Sequence, residues 1–289
     1  MFDLAISPCP NDTFIFHHLK ETRPDMRLEF ADVEELNLRA LGPRRHAVSK
    51  LSFFAILKSK DYRLLDAGGA MGRGCGPLLI FRKGYEGGIE NLKRVIIPGR
   101  TTTAALLLEL FLSENHPSAK AVERIPIRYD KIIPSLLANP PDLSTAQAPA
   151  PTGGQEANPD ADAGLIIHED RFTYQKAGLV AAVDLGAWWE KTTGMPIPLG
   201  GIVVRKDMGE AFASEIEEQI RESLRAAWAN PDRSRSFVKS YSQSLEDDVI
   251  QSHIDLYVNR YTESFGSDGH EALAVLRDRA TSAGLLGPG

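Results

Sequence analysis

Alternating β-rich and helical runs, two breaks in that alternation and a helical final third predict an α/β protein of two lobes with a cleft between them. Repeated βα units wind into a mainly parallel sheet flanked by helices, and each lobe is expected to be built that way. The alternation breaks near Val95–Gly99 and again near Pro196–Gly201. Two crossings between lobes would make residues 1–97 with 200–289 lobe one and residues 98–199 lobe two. Ligands in such sheets sit beyond the carboxyl ends of strands, so function is sought in the loops that follow strands.

The elements can be taken in order. Phe2–Ser7 is expected to be a strand, followed by a Pro/Asn/Asp turn and a helix from near Asp12. A second strand at Met26–Ala31 leads to a helix capped by Asp32, with Glu35 placed for a capping box. Ala47–Phe53, Leu78–Phe81 and Arg94–Pro98 are further strands. After Gly99 come a helix at Thr102–Leu112, a strand at Ile125–Tyr129, a helix at Lys131–Ala138 and a strand at Ala163–Ile167 that ends on His168. Gly178–Val183 and Ile202–Arg205 complete the strands, with a helical segment at Leu185–Lys191 between them. Trp188 and Trp189 on that segment are expected to pack in the core. Phe212, Ile216, Ile220 and Leu224 recur at fourfold spacing along a helix at Glu210–Ala229, and similar patterns cover Leu245–Phe265 and Gly269–Ala283. Residues 139–161 stand apart, with five prolines, two glycines and no apolar period, and read as a flexible insertion.

Bulk properties narrow the function. The 289 residues are enough for two cores, and 43% hydrophobic with 25% charged residues is ordinary for a globular protein. A net charge of −6 argues against nucleic acid or acidic lipid as the main partner, since either needs a basic face. An anionic ligand would need a locally positive pocket, drawn from backbone amides as well as from Lys and Arg. The N-terminus has neither a basic region nor a long apolar run, and no apolar cluster approaches a membrane span. Two cysteines, Cys9 and Cys75, make no disulfide framework. The expectation is a cytoplasmic protein with reduced thiols, bound neither to membrane nor to nucleic acid.

Four post-strand loops carry the candidate chemistry. In Ser7-Pro8-Cys9-Pro10-Asn11-Asp12-Thr13 two prolines fix the backbone; Asp12 could serve as the helix N-cap, and Asn11 and Asp12 could also line the cleft. Alternation puts Lys50 and Ser52 on one side of their strand, suited to a carboxylate or a sugar hydroxyl, although a lysine at a strand edge can equally be solvated. Gly99-Arg100-Thr101-Thr102-Thr103-Ala104 opens an apolar helix whose unpaired first-turn amides favour an anion; one threonine suffices for a cap, and here there are three. His168-Glu169-Asp170 closes an apolar strand, so His168 is either a hydrogen-bonded strand-end residue or a general base facing the cleft.

Several chemistries find no motif. There is no P-loop spacing, no HExxH or other metal-ligand spacing among the remaining histidines, and no Gly-x-Ser-x-Gly elbow. The glycine-rich Gly68–Gly76 is followed by a strand, not a helix, which suits tight turns and close backbone approach better than a nucleotide loop.

Taken together, the loops resemble the 1,4-dihydroxy-6-naphthoate synthase family of the futalosine route to menaquinone. The residues that carry the likeness are Ser7-Pro8-Cys9-Pro10-Asn11-Asp12-Thr13-Phe14, Lys50-Leu51-Ser52, Gly68-Gly69-Ala70 through Gly76-Pro77-Leu78, and Pro98-Gly99-Arg100 with Thr102-Thr103-Ala104. Ala163 through Glu169, Asp184 through Glu190 and Pro198-Leu199-Gly200-Gly201 extend it over nearly the whole chain. The resemblance implies a periplasmic-binding-protein-like type II fold. It implies a carbon–carbon lyase that turns cyclic dehypoxanthinyl futalosine into 1,4-dihydroxy-6-naphthoate and a sugar fragment, with no metal and no redox cofactor. It further implies that His168 is the proton acceptor and that Lys50, Leu51 and Ser52, with Thr103 and Ala104, bind a carboxylate substrate. Asn11, Asp12 and Thr102 remain possible lining residues, and residues 139–161 depart from the family pattern, which has a short turn there. A non-catalytic carboxylate-binding solute receptor and a sibling lyase or dehydratase for another carboxylate are the alternatives, since fold alone does not decide function.

Overall fold

The computed structural model describes residues 1–117, 121–138, 161–242 and 246–287. The expected insertion at 139–161 therefore lies outside the described residues, Ala161 excepted. The chain begins with three βα steps: β1 (Phe2–Ile6) and α1 (Pro10–Thr22), β2 (Met26–Phe30) and α2 (Val33–Leu41), β3 (Val48–Ser52) and α3 (Phe53–Lys58). Two three-residue strands follow, β4 (Tyr62–Leu64) and β5 (Ala70–Gly72), then β6 (Leu78–Arg82) and β7 (Arg94–Ile97). Next come α4 (Thr103–Asn115), β8 (Glu123–Pro126), α5 (Ile132–Ala138), β9 (Ala163–Ile166), α6 (Asp170–Thr173), β10 (Leu179–Asp184), α7 (Leu185–Thr193) and β11 (Ile197–Arg205). Five helices end the chain: α8 (Glu210–Ala229), α9 (Asp232–Tyr241), α10 (Asp247–Tyr257), α11 (Arg260–Glu263) and α12 (Gly266–Ser282).

These strands form two sheets. The first runs β2-β1-β3-β11-β4, with β5 also paired to β11; the second runs β10-β6-β9-β7-β8. Both are mixed, which corrects the expectation of mainly parallel sheets. β1 pairs parallel with β2 and β3, but β11 runs antiparallel to β3, β4 and β5. In the second sheet β7 is parallel to β8 and β9, whereas β6 is antiparallel to β9 and β10. Strands β6 and β11 each arrive from the other sheet, so neither is bound by a right-handed crossover within its own sheet to run parallel to its neighbours.

The first crossing also lies earlier than the sequence suggests. Leu78–Arg82 and Arg94–Ile97, expected within residues 1–97 of lobe one, pair inside the second sheet, so the chain passes between sheets after Gly72. The return runs along β11, whose first half pairs with β5 and whose second half pairs with β3. Ile202–Arg205 thus extends back through Pro198, tolerated at a register shift between Pro198 and Gly200.

The terminal helices seal the first sheet. Ile216, Ile220 and Leu224 of α8 are buried as the fourfold spacing requires, and Phe212 packs edge-on against Phe2 at 5.1 Å. Trp189 is fully buried with Nε1 donating to the Pro196 carbonyl at 3.0 Å, so it is a core residue as expected. Gly76 and Gly186 let two segments touch: a Cβ on Gly76 would sit 2.3 Å from the Gly186 Cα. This is the close backbone approach anticipated for the glycine-rich stretch. Among the described residues no helix is long and apolar enough to cross a membrane.

Candidate functional site

Between the two sheets lies a cavity of about 670 Å³, open solvent at its mouth included. That is in the range that holds a small organic ligand. Its lining includes each residue singled out in the sequence: Asn11 and Asp12, Lys50 through Ser52, Thr102 through Ala104, and His168. Cys75, Gly76, Pro77, Leu199, Gly200 and Tyr257 complete much of the rest. The four loops thus meet at one place, although 157 positions separate Asn11 from His168.

The first-sheet wall is an ion-paired cluster. Helix α1 starts at Pro10 with Cys9 as its N-cap residue, so Asp12 stands in the first turn and does not cap the helix as expected. Its carboxylate turns inward. Oδ1 accepts from Lys50 Nζ at 2.8 Å and from Asn11 Nδ2 at 2.9 Å, and Oδ2 accepts from Ser7 Oγ at 2.7 Å. Lys50 Nζ also donates to the Gly68 carbonyl at 3.1 Å. Lys50 is therefore not a solvated edge lysine: two of its three donors are met inside the protein, and it lines the cavity. Ser52 Oγ accepts from Asn37 Nδ2 at 3.0 Å and retains its own proton to donate.

At the start of α4 the donors divide. Glu34 of α2 takes the outer ones: Oε1 accepts from the Arg100 amide at 2.7 Å and Oε2 from Thr101 Oγ1 at 2.6 Å. Gly99 makes room for this carboxylate, since a Cβ there would lie 2.3 Å from Glu34 Cδ, and its φ of 148° suits glycine. Thr102 caps the helix, accepting from the Ala105 amide at 3.2 Å, and Thr103 Oγ1 donates to the Leu199 carbonyl at 2.7 Å. The threonine-rich sequence is spent on a cap and a cross-link between segments. Helix geometry gives the Thr103 and Ala104 amides no intrahelical acceptor, and both residues line the cavity, so the anion-seeking part of this loop is narrowed to those two.

The second-sheet wall holds titratable groups with few partners. His168 stands two residues past β9 with φ of 56°, the one positive value on a non-glycine residue among those described. Such a backbone costs about 1–2 kcal/mol and persists where the surroundings enforce it. Burial, with a lesser push from Lys50 and an opposing pull from Asp12, lowers the His168 pKa to about 4, so the ring is neutral at pH 7. Its Nε2 is 3.7 Å from the Cys9 thiol, and its ring lies 4.7 Å from Tyr129 and 5.9 Å from His253, nearly parallel to the latter. Burial raises the Cys9 thiol well above its usual range and brings Asp170 up to about 7, with Glu169 and Asp130 adding to the rise at Asp170.

Two groups of His, Cys and carboxylate come close enough to be tested as a metal centre. Asp3, Glu29 and His46 are already engaged: Asp3 accepts from the Ala47 amide, and Glu29 accepts from His46 at 3.0 Å and pairs with Arg27 at 2.7 Å. Cys9, His168 and Glu169 lie within 4.8 Å of one another, with burial raising the thiol above its usual range.

Tyr129, His253, Cys9 and Tyr257 were not singled out by sequence reasoning. His253 and Tyr257 look like any inward positions on an amphipathic helix, and Tyr129 ends a strand-like run far from the other loops. Only Cys9, inside the Pro-rich loop, carried a local signal.

Comparisons with known proteins give the family and the fold. The family model described as menaquinone biosynthesis matches residues 2–144 and 141–282. A Thermus thermophilus protein named 1,4-dihydroxy-6-naphthoate synthase is 40% identical over 290 residues, spanning 99% of this chain and 96% of its own. One of the same name from Streptomyces coelicolor is 37% identical over 295 residues, spanning 99% and 95%. Among solved structures, a protein of Archaeoglobus fulgidus superposes with a TM-score of 0.81 at 29% identity, covering 98% of each chain. The alkanesulfonate-binding protein SsuA of Xanthomonas axonopodis, bound to MOPS, gives a TM-score of 0.69 at 11% identity over 99% of this chain and 94% of its own. That last likeness establishes the periplasmic-binding-protein-like fold and nothing more. On the family match and the two full-length relatives, the chain belongs to the menaquinone biosynthesis family.

Proposed function

We propose that this protein is a lyase that converts cyclic dehypoxanthinyl futalosine into 1,4-dihydroxy-6-naphthoate and a sugar fragment, with His168 as the proton acceptor. The carrying observation is the pairing of a neutral His168 ring on one wall of the cavity with the unspent Thr103 and Ala104 amides on another. The amides and the Ser52 hydroxyl hold the substrate carboxylate, which fixes the reacting carbon against His168 Nε2. His168 takes a proton from that carbon, the electron pair left behind forms a double bond to the neighbouring carbon, and the sugar fragment leaves that neighbour with the bonding pair and is protonated as it departs. Lys50 serves this site by fixing Asp12 and the strand end, with Leu51 as apolar lining. The two sheets act as the lobes that hold the substrate between them. A small carboxylate as the only partner and a cytoplasmic setting belong to the same reading, in which two buried, unpaired thiols are at home.

Solute binding without turnover is the competing reading, and only the fold likeness to SsuA favours it. Purified protein incubated with the cyclic futalosine derivative in the presence of a chelator is expected to release dihydroxynaphthoate, followed by chromatography. Saturable binding of that compound with no product would favour the receptor reading instead.

A further inference from the structure

Behind His168 lies a set of buried polar atoms that proton abstraction leaves unused. His253 of α10 is wholly buried; its Nε2 is 3.0 Å from Asn11 Oδ1, and its Nδ1 is 3.7 Å from Glu169 Oε2. Neither Nδ1 nor either Glu169 oxygen has a hydrogen-bond partner among the described residues, although Glu169 is only 5% exposed. Groups so placed are rare in native proteins unless a proton not visible in the heavy atoms joins them.

The tautomer of His253 can be read from its far side. Asn11 Nδ2 donates to the Asp12 carboxylate, which is itself fixed by Lys50 and Ser7, so the amide oxygen of Asn11 must face His253. An amide oxygen only accepts, hence His253 Nε2 carries the hydrogen and Nδ1 is a bare acceptor. A bare nitrogen facing an ionised carboxylate would leave both buried groups repelling and without a protein donor. One more proton satisfies both.

We infer that Glu169 is a neutral carboxylic acid donating its proton to His253 Nδ1, and that this Glu169–His253 pair is a positioning element that keeps His168 an uncharged base. The 3.7 Å gap closes to hydrogen-bond length by a carboxyl movement of about 0.9 Å. Burial raises the Glu169 carboxyl and lowers the His253 imidazole, which favours the proton on the acid. The titratable groups facing Glu169 are Cys9 from the first loop, Tyr129 and Asp130 from the turn before α5, its neighbours His168 and Asp170, and His253 and Tyr257 from α10. No Lys or Arg stands among them to stabilise an anion. An ionised Glu169 would instead pull a proton onto His168, whose ring nitrogen is within 4.8 Å of it.

The role at His168 rests on the proposed function, but the test need not. Nitrogen-15 NMR of the wild-type protein with labelled histidines should show His253 as the neutral Nε2–H tautomer at pH 7. His168 should titrate at the same pH in wild type and in Glu169→Gln, because glutamine mimics the neutral acid and donates to Nδ1 as it does. An imidazolium at His253, or a fall of roughly one unit or more in the His168 pKa of the variant, would overturn the inference by showing that Glu169 is ionised. Both readouts are independent of turnover, so absence of lyase activity would count against the proposed function and leave this inference standing.

Discussion

The first-sheet wall of the cleft and the second-sheet wall treat charge in opposite ways. On the first, Lys50 and Asp12 meet at 2.8 Å, and Ser7, Asn11 and the Gly68 carbonyl add three further hydrogen bonds to the pair. On the second, among the described residues, His168 has no hydrogen-bond partner nearer than the Cys9 thiol at 3.7 Å, and Glu169 and Asp170 keep buried oxygens with no partner at hydrogen-bond length. Removing an atom from the first wall breaks a closed set. Of the second-wall groups His168 lines the cavity and is free to meet a substrate, while Glu169 and Asp170 stand behind it. The first wall therefore holds shape, and the second is where chemistry is done.

If that contrast is right, the largest loss of stability comes from the paired wall. Lys50→Met should destabilise the protein by roughly 3–5 kcal/mol in urea titration, because it strands a buried carboxylate. Adding Asp12→Asn to it should restore much of the loss. A single variant within experimental error of wild type would mean that the pair is solvated in practice.

Overpacking comes next. Gly76→Ala drives a Cβ toward the Gly186 backbone and should cost about 1–3 kcal/mol, read from the urea midpoint.

The unpaired wall should show in the pH dependence of stability. The folded pKa of His168, about 4, is below its unfolded value, so His168 contributes stability that is complete above about 6.5 and lost as pH falls toward 4. Asp170 works the other way: its folded pKa of about 7 is above its unfolded value, so its contribution is complete below about 3.9 and lost as pH rises through 7. The two slopes oppose each other between pH 4 and 6.5. Asp170→Asn should unmask the His168 slope, steepening acid destabilisation by up to about 1.4 kcal/mol per pH unit. An unchanged slope would show that Asp170 titrates normally.

The smallest effect tests the strained backbone. His168→Gly relieves the left-handed conformation at φ of 56° and should gain roughly 1 kcal/mol in urea titration, offset in part by lost packing. A loss of stability would place the side-chain contacts above the strain.

The same contrast explains what the sequence could and could not reveal. Phe2–Ile6 and Ala163–Ile166 are largely apolar runs ending in unusual loops, and those loops converge with the buried strand Val48–Ser52 on one cavity. Local patterns of this kind are legible because burial imposes them on consecutive residues. The ion pair of Lys50 with Asp12, the Glu34 carboxylate seated on Arg100 and Thr101, and His253 behind His168 join residues 38, 66 and 85 apart, and no local pattern records them. β4 and β5 are too short for alternation to show, and the early crossing after Gly72 lies in a glycine run that reads simply as turn. The fold class was therefore readable from short-range order, while the electrostatics of the site was not.

The most direct test of the account is the turnover of cyclic dehypoxanthinyl futalosine by wild type and His168→Ala at pH 7, with substrate affinity measured separately by calorimetry. The account predicts that the variant binds about as well as wild type but releases dihydroxynaphthoate at a rate lower by roughly 10²-fold or more. Equal rates in the two proteins would remove His168 from the reaction and contradict the division of labour between the walls.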